Sequence, residues 1–334
     1  MQIEFYKFQQ NTERQIETEY FLFRPGFPCI IQPNKNNINL IKCVKENQKF
    51  LESNLLQHGA ILFRGFGIDS VSKFEEVVST ICPNLFANYG DLPREDGSEI
   101  VYSSTPYPND LPILFHNESS HLHQWPLKIW FCCIQAAQQG GETPIVDCHK
   151  VYQLLDHTLT DLLEQKQLMY VRNYIEGLGV SWQSFFNTTD RSLVEQYCHQ
   201  SGVEYQWLSD NGLRTRKVKP AISYHPKIGK PVFFNQVQLH HIFYLESEVK
   251  ASLISALGTE NLPRNVYYGD GSPIEDSVME EISSAYQKAQ VNTSWQKGDV
   301  LMLDNMRAAH GRNSYKGNRK IIVAMGEMIC EQTV

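Results

Sequence analysis

Three residues of this 334-residue chain have the types and spacing to hold a catalytic metal: His116, Glu118 and His310. The first two form a His-x-Glu pair in Phe115-His116-Asn117-Glu118. In a strand, residues two apart share a face, so both side chains can reach one ion. A third ligand must come from elsewhere, and His310, 194 residues downstream in Asp304-Asn-Met-Arg-Ala-Ala-His-Gly-Arg312, supplies it at an expected strand exit. Two histidines and one carboxylate make the facial triad of non-haem Fe(II) sites, which leaves coordination positions open. Taken alone, the His-x-Glu pair reads equally well as a polar surface strand, and His310 as a loop histidine. His121 and His123 repeat the spacing and suit zinc, but they follow Ser119-Ser120 and read as loop residues.

Two further residues fit the same centre. Arg319 opens the otherwise apolar strand Ile321-Ile-Val-Ala324. A cation there needs an anionic partner, and a planar guanidinium fork suits a carboxylate. Thr143, in Gly140-Gly-Glu-Thr143, stands at a turn-to-strand junction where its hydroxyl can donate to that carboxylate. A structural salt bridge and a plain turn residue are their bland readings.

These residues need a scaffold, and the pattern supplies mainly strands. Ala60–Phe63, residues 114–118, 127–134, 143–146, 231–235, 300–303 and 319–325 read as strands. The 127–134 run is apolar enough to be buried on both faces. Helical spacing predicts helices over 37–57, over 70–81 with Ser70 as N-cap, as one or two helices over 149–165, near 190–201, over 247–257 and over 275–289. Residues 1–35 read as an arm, and 88–113, rich in Asn, Pro, Gly and Ser, as a long substrate-side loop or lid. With no repeat or composition break, one domain over residues 1–334 is expected, mainly β with helical decoration, built on a β-sandwich core.

Composition narrows the function. The chain is 42% hydrophobic and 20% charged, as globular proteins are, and its net charge of −7 argues against general nucleic-acid binding. No apolar run approaches the roughly 18 residues of a membrane span, and Met1–Gln10 lacks the features of a signal peptide. The eight scattered cysteines form no C-x-x-C and read as reduced, buried hydrophobes, so the cytoplasm is the expected location.

The ordered series Phe63-Arg-Gly-Phe66, His116-Asn-Glu118, Gly140-Gly-Glu-Thr-Pro144, Phe234-Asn-Gln236, Asp304-Asn-Met306, His310-Gly-Arg312 and Gly317-Asn-Arg-Lys320 resembles the TauD/TfdA family. These are Fe(II)- and 2-oxoglutarate-dependent dioxygenases with clavaminate-synthase-like relatives, and the similarity extends to the branch of the syringomycin-biosynthesis aspartyl hydroxylase. It runs from about residue 58 to 327. The resemblance implies a double-stranded β-helix (jelly roll) whose metal ligands are His116, Glu118 and His310. It implies Thr143 and Arg319 as contacts of 2-oxoglutarate, with Arg312 or Lys320 as alternative cations, and dioxygen as the oxidant. A carboxylate at Glu118, where related halogenases carry a small residue, argues for hydroxylation, with desaturation or ring formation as alternatives. The implied substrate is an amino acid, free or tethered to a carrier protein, with Arg214, Arg216, Asn235, Gln236 and Arg307 as candidate contacts. A zinc hydrolase using the same triad and a catalytically silent jelly-roll binding protein are the competing classes.

Overall fold

The computed structural model describes residues 16–36, 38–87 and 92–331. An eight-stranded major sheet runs in the order Ile16–Glu17, Phe21–Arg24, Cys29–Pro33, Ala60–Phe63, Val300–Asp304, Gln124–Gln135, Lys320–Cys330 and Tyr102–Ser103. A three-stranded minor sheet places Ala308–Arg312 between Ile113–His116 and Ile145–Asp147, antiparallel to both. Side chains of the Val300–Asp304 strand explain how the layers stack. Leu301 and Leu303 pack with Ile129 and Phe131 of the major sheet and with Ile145 and Ala308 of the minor sheet. Val300 and Met302, pointing the other way, pack with Trp130 and Cys132 beneath the helices Leu40–Glu46, Gln48–His58 and Val71–Ile81. Because both faces are covered, these strands read as continuous apolar runs rather than alternating ones. Two facing sheets, antiparallel except for the parallel pair Cys29–Pro33 and Ala60–Phe63, form the jelly roll with helices packed outside.

The segment after Ile145–Asp147 carries the helices Cys148–Leu154 and His157–Lys166 and a further, four-stranded sheet. That sheet orders Glu204–Trp207, Leu213–Lys219, Leu168–Tyr174 and Arg264–Tyr268, all antiparallel. The largest apolar cluster ties it to the minor sheet, joining Tyr170 and Val266 to Val146 and Ala309. No helix among the described residues is long and apolar enough to cross a membrane.

Several elements depart from the sequence reading. The helix expected over 37–57 is two, because Asn47 leaves helical geometry at φ −121° and turns its amide back onto the Cys43 carbonyl at 2.8 Å. The arm is not peripheral where it is described: Phe21, Phe23, Cys29 and Ile31 alternate into the core and add three strands to the major sheet. Its first 15 residues lie outside the described ones. The 88–113 segment is irregular except for Tyr102–Ser103 and for Ile113, where the next strand begins, with residues 88–91 likewise outside the description. Ser70 caps its helix as expected, accepting a bond from the Lys73 N–H.

Candidate active site

His116 is the last residue of the Ile113–His116 strand, and His310 lies directly opposite it in the middle of Ala308–Arg312. The imidazoles approach to 4.4 Å between centroids. His310 is therefore within a strand, not at a strand exit. The close strand approach depends on Gly311, where a Cβ would stand 2.7 Å from the Ile113 carbonyl oxygen. Glu118 lies beyond the strand end, in a turn completed by Ser119 at φ 56°. Strand alternation alone thus does not bring His116 and Glu118 together. Asn305 does much of the work: its Oδ1 accepts the Glu118 N–H at 2.8 Å and its Nδ2 donates to the Glu118 carbonyl at 2.9 Å. Asn117, fully buried, donates to the Asn305 carbonyl at 2.6 Å and so locks the same two segments from the other side.

The resulting cluster sets one ligand atom from each of His116, Glu118 and His310 within 4.8 Å of one another. His116 donates from Nδ1 to the Leu114 carbonyl at 2.8 Å, which fixes its tautomer and leaves the Nε2 lone pair 3.9 Å from a Glu118 oxygen. His310 packs on Phe131, and its Nδ1 is buried without a hydrogen-bond partner among the described residues. Burial, and secondarily the nearby His116, holds its pKa well below the usual imidazole range. A buried neutral imidazole with an unpaired nitrogen costs stability unless something else engages the ring. The donor set of two neutral imidazoles and one carboxylate fits a divalent transition metal such as Fe(II).

The three candidate cations differ in what they spend their charge on. Arg312 donates to the carbonyls of Tyr107, Pro108 and Leu111 and so anchors the long loop. Lys320 pairs with Glu95 at 2.6 Å. Arg319 donates from Nε to the Gly141 carbonyl at 2.8 Å and from Nη2 to the Thr143 hydroxyl oxygen at 3.4 Å. Burial, then the neighbouring Arg312, lowers its pKa to about 10. At Gly141, with φ +74°, a Cβ would stand 3.0 Å from the Arg319 side chain, so the glycine admits the arginine. The Thr143 oxygen also accepts the Trp295 indole N–H at 3.2 Å. With both lone pairs occupied, the Thr143 hydroxyl hydrogen is left to donate. A small cavity lined by Leu62, Thr143, Ile145, Trp295 and Leu301 opens beside it. The sequence reading missed Asn305 and Trp295; the Asp304-Asn-Met306 motif held the signal for the first.

The candidate substrate contacts are mostly engaged by the fold. Arg214 grips Asn173, Glu260 and Asn261. Arg307 pairs with Asp147 at 2.6 Å and donates to the Leu56 carbonyl. The Asn235 side chain donates to the Ala221 carbonyl and accepts the Val237 N–H. Gln236 comes nearest the cluster, its side chain donating to the Asn117 carbonyl at 2.9 Å. Arg216 is half-buried on Leu213–Lys219, opposite Glu204. His121 does turn inward from its loop, and its ring meets His240 rather than His123.

Residues 24–325 match the family described as "Taurine catabolism dioxygenase TauD, TfdA family". The chain is 39% identical to the dapdiamide synthesis protein DdaC of Enterobacter agglomerans over 81% of this chain and 83% of that one. It is 29% identical to a clavaminate synthase-like protein of Arabidopsis thaliana, over 90% and 93% of the two chains. Among solved structures it is similar to PvcB, an Fe, alpha-ketoglutarate dependent oxygenase from an isonitrile synthetic pathway. There the TM-score is 0.56, the identity 13%, and the coverage 95% of both chains. A taurine dioxygenase from Burkholderia xenovorans gives a TM-score of 0.55 at 13% identity, covering 94% and 93%. The chain belongs to the TauD/TfdA dioxygenase family.

Proposed function

We propose that this Fe(II)- and 2-oxoglutarate-dependent oxygenase hydroxylates an unactivated C–H bond of an amino acid or amino-acid derivative in natural-product biosynthesis. His116, Glu118 and His310 would hold the iron, and Thr143 and Arg319 the far carboxylate of 2-oxoglutarate. The observation that carries the reading is the conjunction of the His116–Glu118–His310 cluster with a buried Arg319–Thr143 pair. A hydrolase using the same triad with zinc, or a binding protein, has no need of that second pair. When bound, iron and 2-oxoglutarate supply the activation of dioxygen. The protein's own residues bind, orient and exclude water. Neutral imidazoles offer lone pairs rather than protons, Arg319 and Thr143 present N–H and O–H donors to a carboxylate, and Phe131 and Leu301 keep the interior apolar. Glu118 supplies the carboxylate ligand, which favours hydroxyl transfer over halogenation. The kinship with a dapdiamide synthesis protein supports the natural-product setting. None of the eight cysteines is in a disulfide, which fits the cytoplasm, and we propose that as its location.

Anaerobic protein should develop the weak visible metal-to-ligand charge-transfer band when Fe(II) and 2-oxoglutarate are added together, and not with either alone. Folded, iron-loaded protein without that band would sink the oxygenase reading. Turnover that proceeds without 2-oxoglutarate would favour the hydrolase.

A further inference from the structure

Trp295 lies in the connection that leads from the helix Asp276–Ala289 to the strand Val300–Asp304. Its neighbours Ser294 and Gln296 are exposed, yet the indole turns inward and packs against the cluster of Leu62, Ile145 and Leu301. There its N–H donates to the Thr143 hydroxyl oxygen at 3.2 Å. Two anchors hold it in place. Upstream, Val291 exchanges both main-chain hydrogen bonds with Ile145, at 2.8 and 3.0 Å, two residues from Thr143. The second anchor is an ion pair that brackets Trp295. Arg64, in the Phe63-Arg-Gly-Phe66 run, forks onto Asp299, with Nε 3.1 and 3.2 Å from the two oxygens and Nη2 2.7 Å from one of them. The same Nη2 donates to the Ser294 carbonyl at 2.7 Å, and the same carboxylate accepts the Gln296 N–H at 2.8 Å. The residue before Trp295 and the residue after it are thus gripped by the two partners of one pair. Asp299 is fully buried, and a forked arginine–carboxylate pair fixes direction as well as distance.

The consequence falls on Thr143. A hydroxyl carries two acceptor lone pairs and one rotatable hydrogen, so by itself it can present either to a ligand. Here Trp295 and Arg319 take both acceptor positions, and the hydrogen alone is left. Turning a lone pair outward would strand the half-buried indole N–H, which costs more than a new bond returns. The indole N–H and the guanidinium are themselves donors only. All three groups therefore offer hydrogens and none accepts one. Such a pocket end suits an ionised carboxylate and disfavours a ligand group that must donate, such as an amide N–H.

We infer that Trp295, set by the Arg64–Asp299 pair, is a positioning residue for the cosubstrate, because it makes the Thr143 hydroxyl an obligate donor to the far carboxylate. The inference rests on the reading that Thr143 and Arg319 hold that carboxylate, and it adds the residues that make them selective for it. It also gives Arg64 a part in the site, although Arg64 itself touches neither Thr143 nor Arg319.

The test is calorimetric binding to the full-length, Mn(II)-loaded protein. The two probes are 2-oxoglutarate and 2-oxopentanoate, which shares the 2-oxo acid end but carries a methyl group in place of the far carboxylate. The parent should prefer 2-oxoglutarate. Trp295→Phe keeps a ring and removes the N–H; it should weaken 2-oxoglutarate about 5–10-fold and leave 2-oxopentanoate unchanged. Arg64→Lys keeps a charge for Asp299 without the fork that also reaches Ser294, and should show a smaller loss of the same kind. In a Thr143→Ala background, adding Trp295→Phe should cost nothing more. Equal weakening of both acids, full 2-oxoglutarate affinity in folded Trp295→Phe, or a further full loss in the Thr143→Ala background would each overturn the role of Trp295. Unchanged selectivity in Arg64→Lys would overturn the ion pair as its anchor. A parent that binds the two acids alike would overturn the placing of the far carboxylate on Thr143 and Arg319, and the inference with it. A parental preference that survives in Trp295→Phe would overturn the inference and leave that placing intact.

Discussion

Asn305→Ala tests whether the metal ligands are held by the turn that precedes His310. Asn305 is fully buried, and its side chain makes three hydrogen bonds: to the N–H and carbonyl of Glu118 and to the Pro126 carbonyl. Alanine keeps the main-chain bond from Asn305 N–H to Leu127 and removes those three. At about 1 kcal/mol net per bond, plus the cost of leaving buried partners unpaired, the loss is about 3–5 kcal/mol. With about 2 °C lost per kcal/mol in a chain of this size, the melting temperature should fall by roughly 5–10 °C. A second effect belongs to the site. With its backbone released, Glu118 must be ordered by the metal itself, and lost support of this kind costs roughly 10–100-fold in affinity. Leu55→Ala is the control. Leu55 is buried in the helical layer, so its truncation should cost about 2–5 kcal/mol while touching no ligand. Thermal unfolding without metal and anaerobic Fe(II) titration read the two effects separately. Both variants should melt early, and only Asn305→Ala should bind iron weakly. Full iron affinity in Asn305→Ala, or an equal loss in Leu55→Ala, would refute the clamp.

Three other substitutions probe the rest of the site and its scaffold. Arg319→Ala should raise the 2-oxoglutarate concentration needed for half-maximal activity by roughly 10–100-fold, the worth of a charged hydrogen bond or two, with Fe(II) affinity unchanged. An unchanged cosubstrate requirement would move that role to Arg312 or Lys320. Arg307→Ala breaks the pair between buried Arg307 and half-buried Asp147, which also caps the helix Cys148–Leu154, and should cost about 2–3 kcal/mol in urea unfolding. Activity per folded molecule should hold; a selective rise in substrate KM would make Arg307 a substrate contact after all. At Glu52, burial would raise the carboxyl pKa, but bonds from Lys128 and Lys227 outweigh it and hold it below its usual 4.5. A depressed folded-state pKa gives stability that is full above the unfolded value and lost as pH falls through the folded one. Glu52→Gln should therefore lower the urea midpoint at neutral pH, and its difference from the parent should shrink below pH 4.5.

The elements that were legible are those whose signal is local. The Val71–Ile81 helix has its cap in Ser70 and one apolar face, and Ser247–Leu257 lies where its spacing placed it. The N-terminal strands were hidden because their pairs Phe21/Phe23 and Cys29/Ile31 are short and flank Pro25-Gly26, which reads as loop. Only the neighbouring Ala60–Phe63 strand gives them something to pair with, through Cys29–Pro33. The helix break at Asn47 depended on one amide turning onto its own backbone, a choice that periodicity does not record.

The site shows the same division more sharply. Residue types alone mark His116, Glu118 and His310 as a ligand set, but the spacing argument that joined the first two rests on strand geometry that ends at His116. What brings Glu118 to the histidines is a turn with Ser119 in left-handed backbone and an asparagine 187 residues away along the chain. Likewise, Arg312, Arg319 and Lys320 are equivalent as charges in sequence. They become distinct only through what each binds: loop carbonyls, a threonine beside a glycine, and the buried carboxylate of Glu95. Long-range partners decide function here because every one of these side chains has more than one local use.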